Sequence, residues 1–195
     1  MFAMRTLLLY SFMLLAFTMG FAQNTSSRNT SVNILPNSKL TITGDTNISD
    51  FTCAFDPTMI PSAKKVKVTE KQDVLIFENA ILSLDNTGFD CGSKGINRDF
   101  HALIKTEEYP SIFLELKKLK MITDKSAVAD VLITIAGKKK NYKLPVEIID
   151  GEIPQYKGNL SLNINDFNLE PPKKMFGLIV VKEDIDINFN LNVEK

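Results

Sequence analysis

The chain has little of what chemistry at a protein site requires. Its 195 residues include one histidine, His101, and two cysteines, Cys53 and Cys91. A lone histidine with no identifiable partner is poor material for acid–base or nucleophilic catalysis. The sequence contains no Gly-x-Ser-x-Gly, His-Glu-x-x-His or phosphate-loop pattern. Neither cysteine lies in a Cys-x-x-Cys context, so a redox motif is missing too. Two cysteines and one distant histidine do not make zinc-ligand spacing. There is no excess of either charge: 23 Lys and Arg balance 23 Asp and Glu. That balance argues against nucleic acid as a partner. The longest apolar run, Leu7 to Met19, is too short to span a bilayer comfortably. These shortages point to a protein with no catalytic group, cofactor or metal and no stable membrane span.

What the chain does have begins with an address. Arg5 precedes the apolar run, and Gly20-Phe21-Ala22 then places small residues where a signal peptidase needs them. Residues 1–22 therefore read as a signal peptide cleaved after Ala22, with delivery to the periplasm or the exterior. Residues 23–37 open with a polar, unpatterned stretch and read as a flexible leader and entry. Residues 38–195 form one domain of ordinary size. Removing Arg5 leaves 22 basic and 23 acidic residues, still near neutral. In an oxidising compartment the two cysteines allow one intramolecular bond, Cys53 to Cys91. Two free buried thiols are the alternative. Such a bond is worth about 4 kcal/mol in the loop-entropy account.

From Lys39 onward the hydrophobic period is two, which marks strands with one buried face. The inward set predicted by alternation is Leu40 and Ile42, then Ile112, Leu114 and Leu116, then Ile133 and Ile135. It continues with Leu144 and Val146, Leu160 and Leu162, and ends with Ile187, Phe189 and Leu191. A one-residue slip would send any of these groups to the other face. Segment 73–84 is more continuously apolar and reads as a strand pair or one bent strand. Gly137 followed by three lysines separates two strands, and Asp150-Gly151 reads as a two-residue hairpin. One helix interrupts the pattern. It is predicted from Asn97, as the cap, to about Lys105, with Ile96, Phe100, Leu103 and Ile104 on one face. Pro110 stops it. The fold class that follows is all-β: an antiparallel barrel or sandwich of about eight to ten strands with one short helix. Lysine, asparagine and aspartate on the alternate face disfavour a lipid-embedded barrel.

Several motifs in fixed order then resemble a known family. They are Arg98-Asp99-x-His101 leading to Tyr109-Pro110, and Leu132-Ile-x-Ile-Ala-Gly137 leading to Leu144-Pro145-Val146. The closing segment PPKKMFGLIVVKEDIDINFNLNV completes the set. Together they resemble the YceI-like family over about residues 38–194. The resemblance implies a lipocalin-like barrel whose interior tunnel binds a long isoprenoid chain. This sequence departs from better-known members in a shorter stretch between His101 and Pro110. The two cysteines and the Pro171-Pro172-Lys173-Lys174 segment suggest a variant branch.

Two readings of the interior stay open at this level. The inward residues line a tunnel for an apolar lipid, or they fill the barrel with side chains, which eight strands nearly permit. In the second case the protein is an envelope interaction or stress-related module without a small ligand. Arg98 and His101 are candidate rim residues, with a structural role as the plainer expectation. The lysine groups at 64–67, 117–120, 138–140 and 173–174 are expected to cap strand ends and guard edges.

Overall fold

The computed structural model describes residues 25–61, 63–171, 173–174 and 179–194. The segment read as a signal peptide lies outside the described residues. Among the described residues, thirteen strands and one α-helix follow in order. The first seven strands are β1 (Thr25–Ile34), β2 (Lys39–Thr46), β3 (Asp50–Phe55), β4 (Lys64–Lys71), β5 (Val74–Glu78), β6 (Ile81–Asp85) and β7 (Phe89–Asp90). Helix α1 is Lys94–Leu103. Then come β8 (Ser111–Thr123), β9 (Ser126–Ile135), β10 (Lys138–Ile149), β11 (Gln155–Asn163), β12 (Lys173–Lys174) and β13 (Ile179–Glu194). Short 3-10 turns occupy Pro57–Met59, Asn86–Gly88 and Ile164–Phe167.

Eight strands close a ring, β1-β4-β5-β8-β9-β10-β11-β13, and every pairing in it is antiparallel. Closure between β1 and β13 rests on Asn33 opposite Glu194 and Ile34 opposite Val193. Beyond the ring, β2, β3 and β7 extend from β13, and β6 pairs with β8. The expected all-β barrel with one helix is thus the fold. The barrel has two ends. One carries α1 and the β9–β10 turn; the other carries the β8–β9 turn and the loop 150–154.

The polar stretch read as a flexible leader is instead strand β1, paired with β4 from Thr25 opposite Lys71 to Val32 opposite Lys64. Its small polar side chains are largely exposed, so alternation gave no signal. Segment 73–84 is two strands, broken at Asn79 with φ of 65°. Both pair with the same edge of β8: β5 against Lys118–Lys120 and β6 against Ser111–Glu115. Strand β8 itself carries a register shift between Leu116 and Lys118. Ile112 is buried before the shift and Leu119 after it, an odd spacing that only a bulge permits.

Turn chemistry explains two further details. Ala136 and Gly137 both have positive φ, 46° and 73°, between the paired Ile135 and Lys138. That is the two-residue hairpin whose twist matches the flanking strands. The Tyr109 ring also lies where a side chain at 137 would go. By contrast, Asp150-Gly151 is not a two-residue turn. Ile149 pairs with Gln155, so five residues make the connection. Pro154 has no N–H to extend the ladder inward.

The same limitation shapes the barrel wall. Strand β10 forms ten residue pairs with β9 but three with β11, Glu147–Ile149 against Gln155–Lys157. Ile148 donates its N–H to the Lys125 carbonyl on the β9 side. Amides alternate along a strand, so position 145 faces β11. Pro145 has no N–H to offer there, opposite Asn159, and the ladder ends. Below it the wall is a seam closed by side chains.

The apolar interior as candidate binding site

The site is built at the helix end. Ser93 caps α1, its hydroxyl accepting from the Ile96 N–H at 3.2 Å. The helix therefore starts earlier than the predicted cap. Asn97 lies inside it and serves a different purpose. Its Oδ1 accepts from the Cys91 N–H at 2.6 Å, and its Nδ2 donates to Asp90 at 3.0 Å. Those contacts, Asn97 first and the Gly92 N–H second, hold the Asp90 carboxyl below the usual carboxylate range. Cys91 is disulfide-bonded to Cys53 on β3, as expected, and both are buried. The bond ties the start of α1 to the barrel.

The helix lies face down. Phe100 and Ile104 are buried and Leu103 packs against the core, whereas Ile96, expected on that face, is exposed. Phe55, Phe89 and Phe100 form a row with ring centroids 4.9 and 5.2 Å apart. The helix C-terminus is fastened by Asn86, which is 1 % exposed. Asn86 Nδ2 donates to the Tyr109 carbonyl at 2.8 Å and to Thr106 Oγ1 at 3.2 Å. Its N–H donates to the Pro110 carbonyl. His101 Nδ1 stands 3.3 Å from the same Thr106 hydroxyl, and its ring meets the edge of Phe100. His101 thus belongs to a structural fastening. Arg98 is exposed on the solvent side of α1, and neither residue lines the cavity.

Beneath α1 lies a cavity of about 40 Å³ whose lining is entirely hydrophobic. Of the predicted inward residues, Leu40, Ile42, Ile112, Leu114, Ile133, Ile135 and Ile187 line it. Leu144, Val146, Leu160 and Leu162 are buried elsewhere in the core, and Leu116 and Phe189 pack against it half-buried. Leu191 is half-buried and stands outside the core cluster, towards the opposite end. The helix residues Phe100, Leu103 and Ile104 also line the cavity, as do Phe51, Phe89, Ile164 and Leu169. Ile164 carries the Leu160, Leu162 alternation into a 3-10 turn, and Leu169 follows that turn, where neither a two- nor a 3.6-residue period could find it.

That turn closes the seam. Phe167, 1 % exposed, stacks on Tyr142 of β10 at 6.3 Å and 26°. Asp166 accepts from Lys140 Nζ and from the Tyr142 hydroxyl, both at 2.8 Å. The Lys140 bond first and the Tyr142 bond second hold the Asp166 carboxyl below its usual range. Burial first and Asp166 second push the Tyr142 hydroxyl pKa up.

No group of three or more His, Cys, Asp or Glu among the described residues could hold a metal ion. No helix among them is long and apolar enough to cross a membrane.

Comparison with known proteins agrees with this geometry. The family model described as the YceI-like domain matches residues 21–193. Three similar solved structures share the fold. BcnA of Burkholderia cenocepacia is 18 % identical, with a TM-score of 0.60 over 81 % of this chain and 96 % of that one. A polyisoprenoid binding domain from Saccharophagus degradans, implicated in plant cell wall breakdown, is 12 % identical. Its TM-score is 0.58 over 84 % of this chain and 97 % of that one. The YCEI protein of Campylobacter jejuni is 17 % identical, with a TM-score of 0.52 over 93 % and 95 %. No curated protein sequence matches the chain.

Proposed function

The chain belongs to the YceI-like family, and from that premise we propose that it is an exported, non-enzymatic binding protein for a long apolar lipid of isoprenoid-like character. The ligand is held in the barrel interior, in contact with the inward residues of β2, β8, β9 and β13. The observation that carries this reading is the cavity under α1, bounded by hydrophobic side chains alone. A site without polar groups selects by shape and desolvation, each buried methylene contributing roughly 0.8 kcal/mol. A long chain then binds tightly with no directional contact. The Saccharophagus degradans domain, named for polyisoprenoid binding, has the same fold. The N-terminal segment supports export to the periplasm or exterior.

The cavity of about 40 Å³ is room for little more than water. Uptake of a long chain therefore requires α1 or the seam to move and the core side chains to part. The same volume favours a second reading, a filled barrel acting as an envelope interaction module. Mass spectrometry of organic extracts from the native protein separates the two. A stoichiometric apolar lipid is expected, together with uptake of added polyprenoid by delipidated protein. Empty extracts and no uptake leave the filled barrel.

A further inference from the structure

A second, larger depression lies on the outer wall. It has a volume of about 790 Å³ and sits over the place where Pro145 ends the β10–β11 ladder. Strand register arranges its lining in two outward rows. One runs Lys39, Asn190, Lys157, Glu147 and Ser126 across β2, β13, β11, β10 and β9. The other includes Thr41 opposite Asn188, and Pro145 opposite Val128. Lys125 and Ile122, the latter 59 % exposed, border it at the β8–β9 turn.

Three features of this groove point to one kind of ligand. Its floor is low and mostly apolar, because Val128, Pro145, Thr41 and Ser126 are short. Lys39, Lys125 and Lys157 make no ion pair among the described residues, whereas Lys67, Lys117, Lys140, Lys143 and Lys182 each do. Glu147 is the one acid in the lining, leaving the groove net positive.

We propose that this groove binds a single-chain anionic amphiphile, its apolar chain on the Val128–Pro145 floor and its phosphate or carboxylate head on Lys39, Lys125 and Lys157. The site is external, and it does not depend on the interior being occupied. Unpaired lysines beside an apolar floor match a molecule that carries both characters; the lysines alone suit any anion, and the floor alone suits any oil.

The test is titration of the mature chain with dodecyl phosphate below its micelle concentration, read by backbone amide shifts. Dodecyl maltoside and inorganic phosphate are the comparison probes. The expected result is saturable shifts at residues 39–41, 126–128, 157–158 and 188–190 with dodecyl phosphate, at an affinity at least tenfold above either comparison probe. Lys39→Gln with Lys157→Gln should weaken binding at least tenfold without moving the unfolding midpoint. Glu147→Gln should tighten it. In the wild-type chain, added salt should weaken binding, a readout that needs no variant. Equal binding of dodecyl maltoside would make the groove merely greasy, and equal binding of inorganic phosphate would make it merely basic. Shifts confined to the cavity under α1 would place the amphiphile inside the barrel. Each of those three results overturns the proposal.

Discussion

Strand β10 has two unlike borders. Towards β9 it is stitched by ten residue pairs; towards β11 it keeps three, and the rest of that border is closed by Phe167, Tyr142, Asp166 and Lys140. The helix end offers a third kind of closure, a disulfide and a buried asparagine. A backbone ladder opens only by local unfolding, and a disulfide does not open at all without a reductant. A side-chain closure opens when a few rotamers change. The difference marks the β10–β11 seam as more yielding than the β9–β10 border or the disulfide-tied helix end.

The comparison can be broken most forcefully at Phe167. Phe167→Ala should cost about 3–5 kcal/mol, because a fully buried ring leaves a cavity and unseats the turn. Denaturant unfolding measures this. A loss under 1 kcal/mol would mean that the seam does not rest on that ring. Removing the disulfide with Cys53→Ala and Cys91→Ala should cost about 2–4 kcal/mol. It should free α1 and leave exchange at the seam unchanged. Accelerated exchange of β11 amides in that variant would show that the two closures are coupled.

A subtler change restores what proline withholds. Pro145→Ala supplies an N–H facing Asn159, worth about 0.5–1.5 kcal/mol if the bond forms. Greater freedom in the unfolded chain offsets about 0.4–1 kcal/mol of that. Stability should hardly move, while hydrogen exchange should reveal a newly protected amide at position 145. The smallest effect is expected at Asp166. Its carboxyl pKa is lowered in the fold, so its contribution is present above the unfolded value near 4 and is lost as pH falls through the folded value. Asp166→Asn should flatten the acid limb of the stability profile in that window, with a small loss of stability above it, neutral pH included, and none below it.

Much of the barrel was legible beforehand because a half-buried strand repeats every two residues. Ile133, Ile135, Leu160, Leu162 and Ile187 fall inside as alternation requires. The disulfide was legible because two cysteines in a chain read as exported leave one partner each. Strand β1 was not, since its stability comes from backbone pairing with β4 and its polar side chains stay in water. The bulge after Leu116 was hidden because a register shift preserves composition while reversing faces. His101 could not be placed, because its role depends on Thr106, in the turn after the helix, and on Asn86, which the fold brings to that turn from a distant 3-10 turn.

The chain by itself determined the period of its strands, the single helix, the one possible disulfide and the shortage of catalytic groups. Each is a local or compositional property. Only the tertiary structure decided that Pro145 breaks the wall rather than an edge, that Phe167 fills the break, and that Lys39, Lys125 and Lys157 meet on one outer groove. Those outcomes depend on which strand lies beside which, and at what stagger. Strand order and register arise from the closure of the whole ring, so no segment carries them alone.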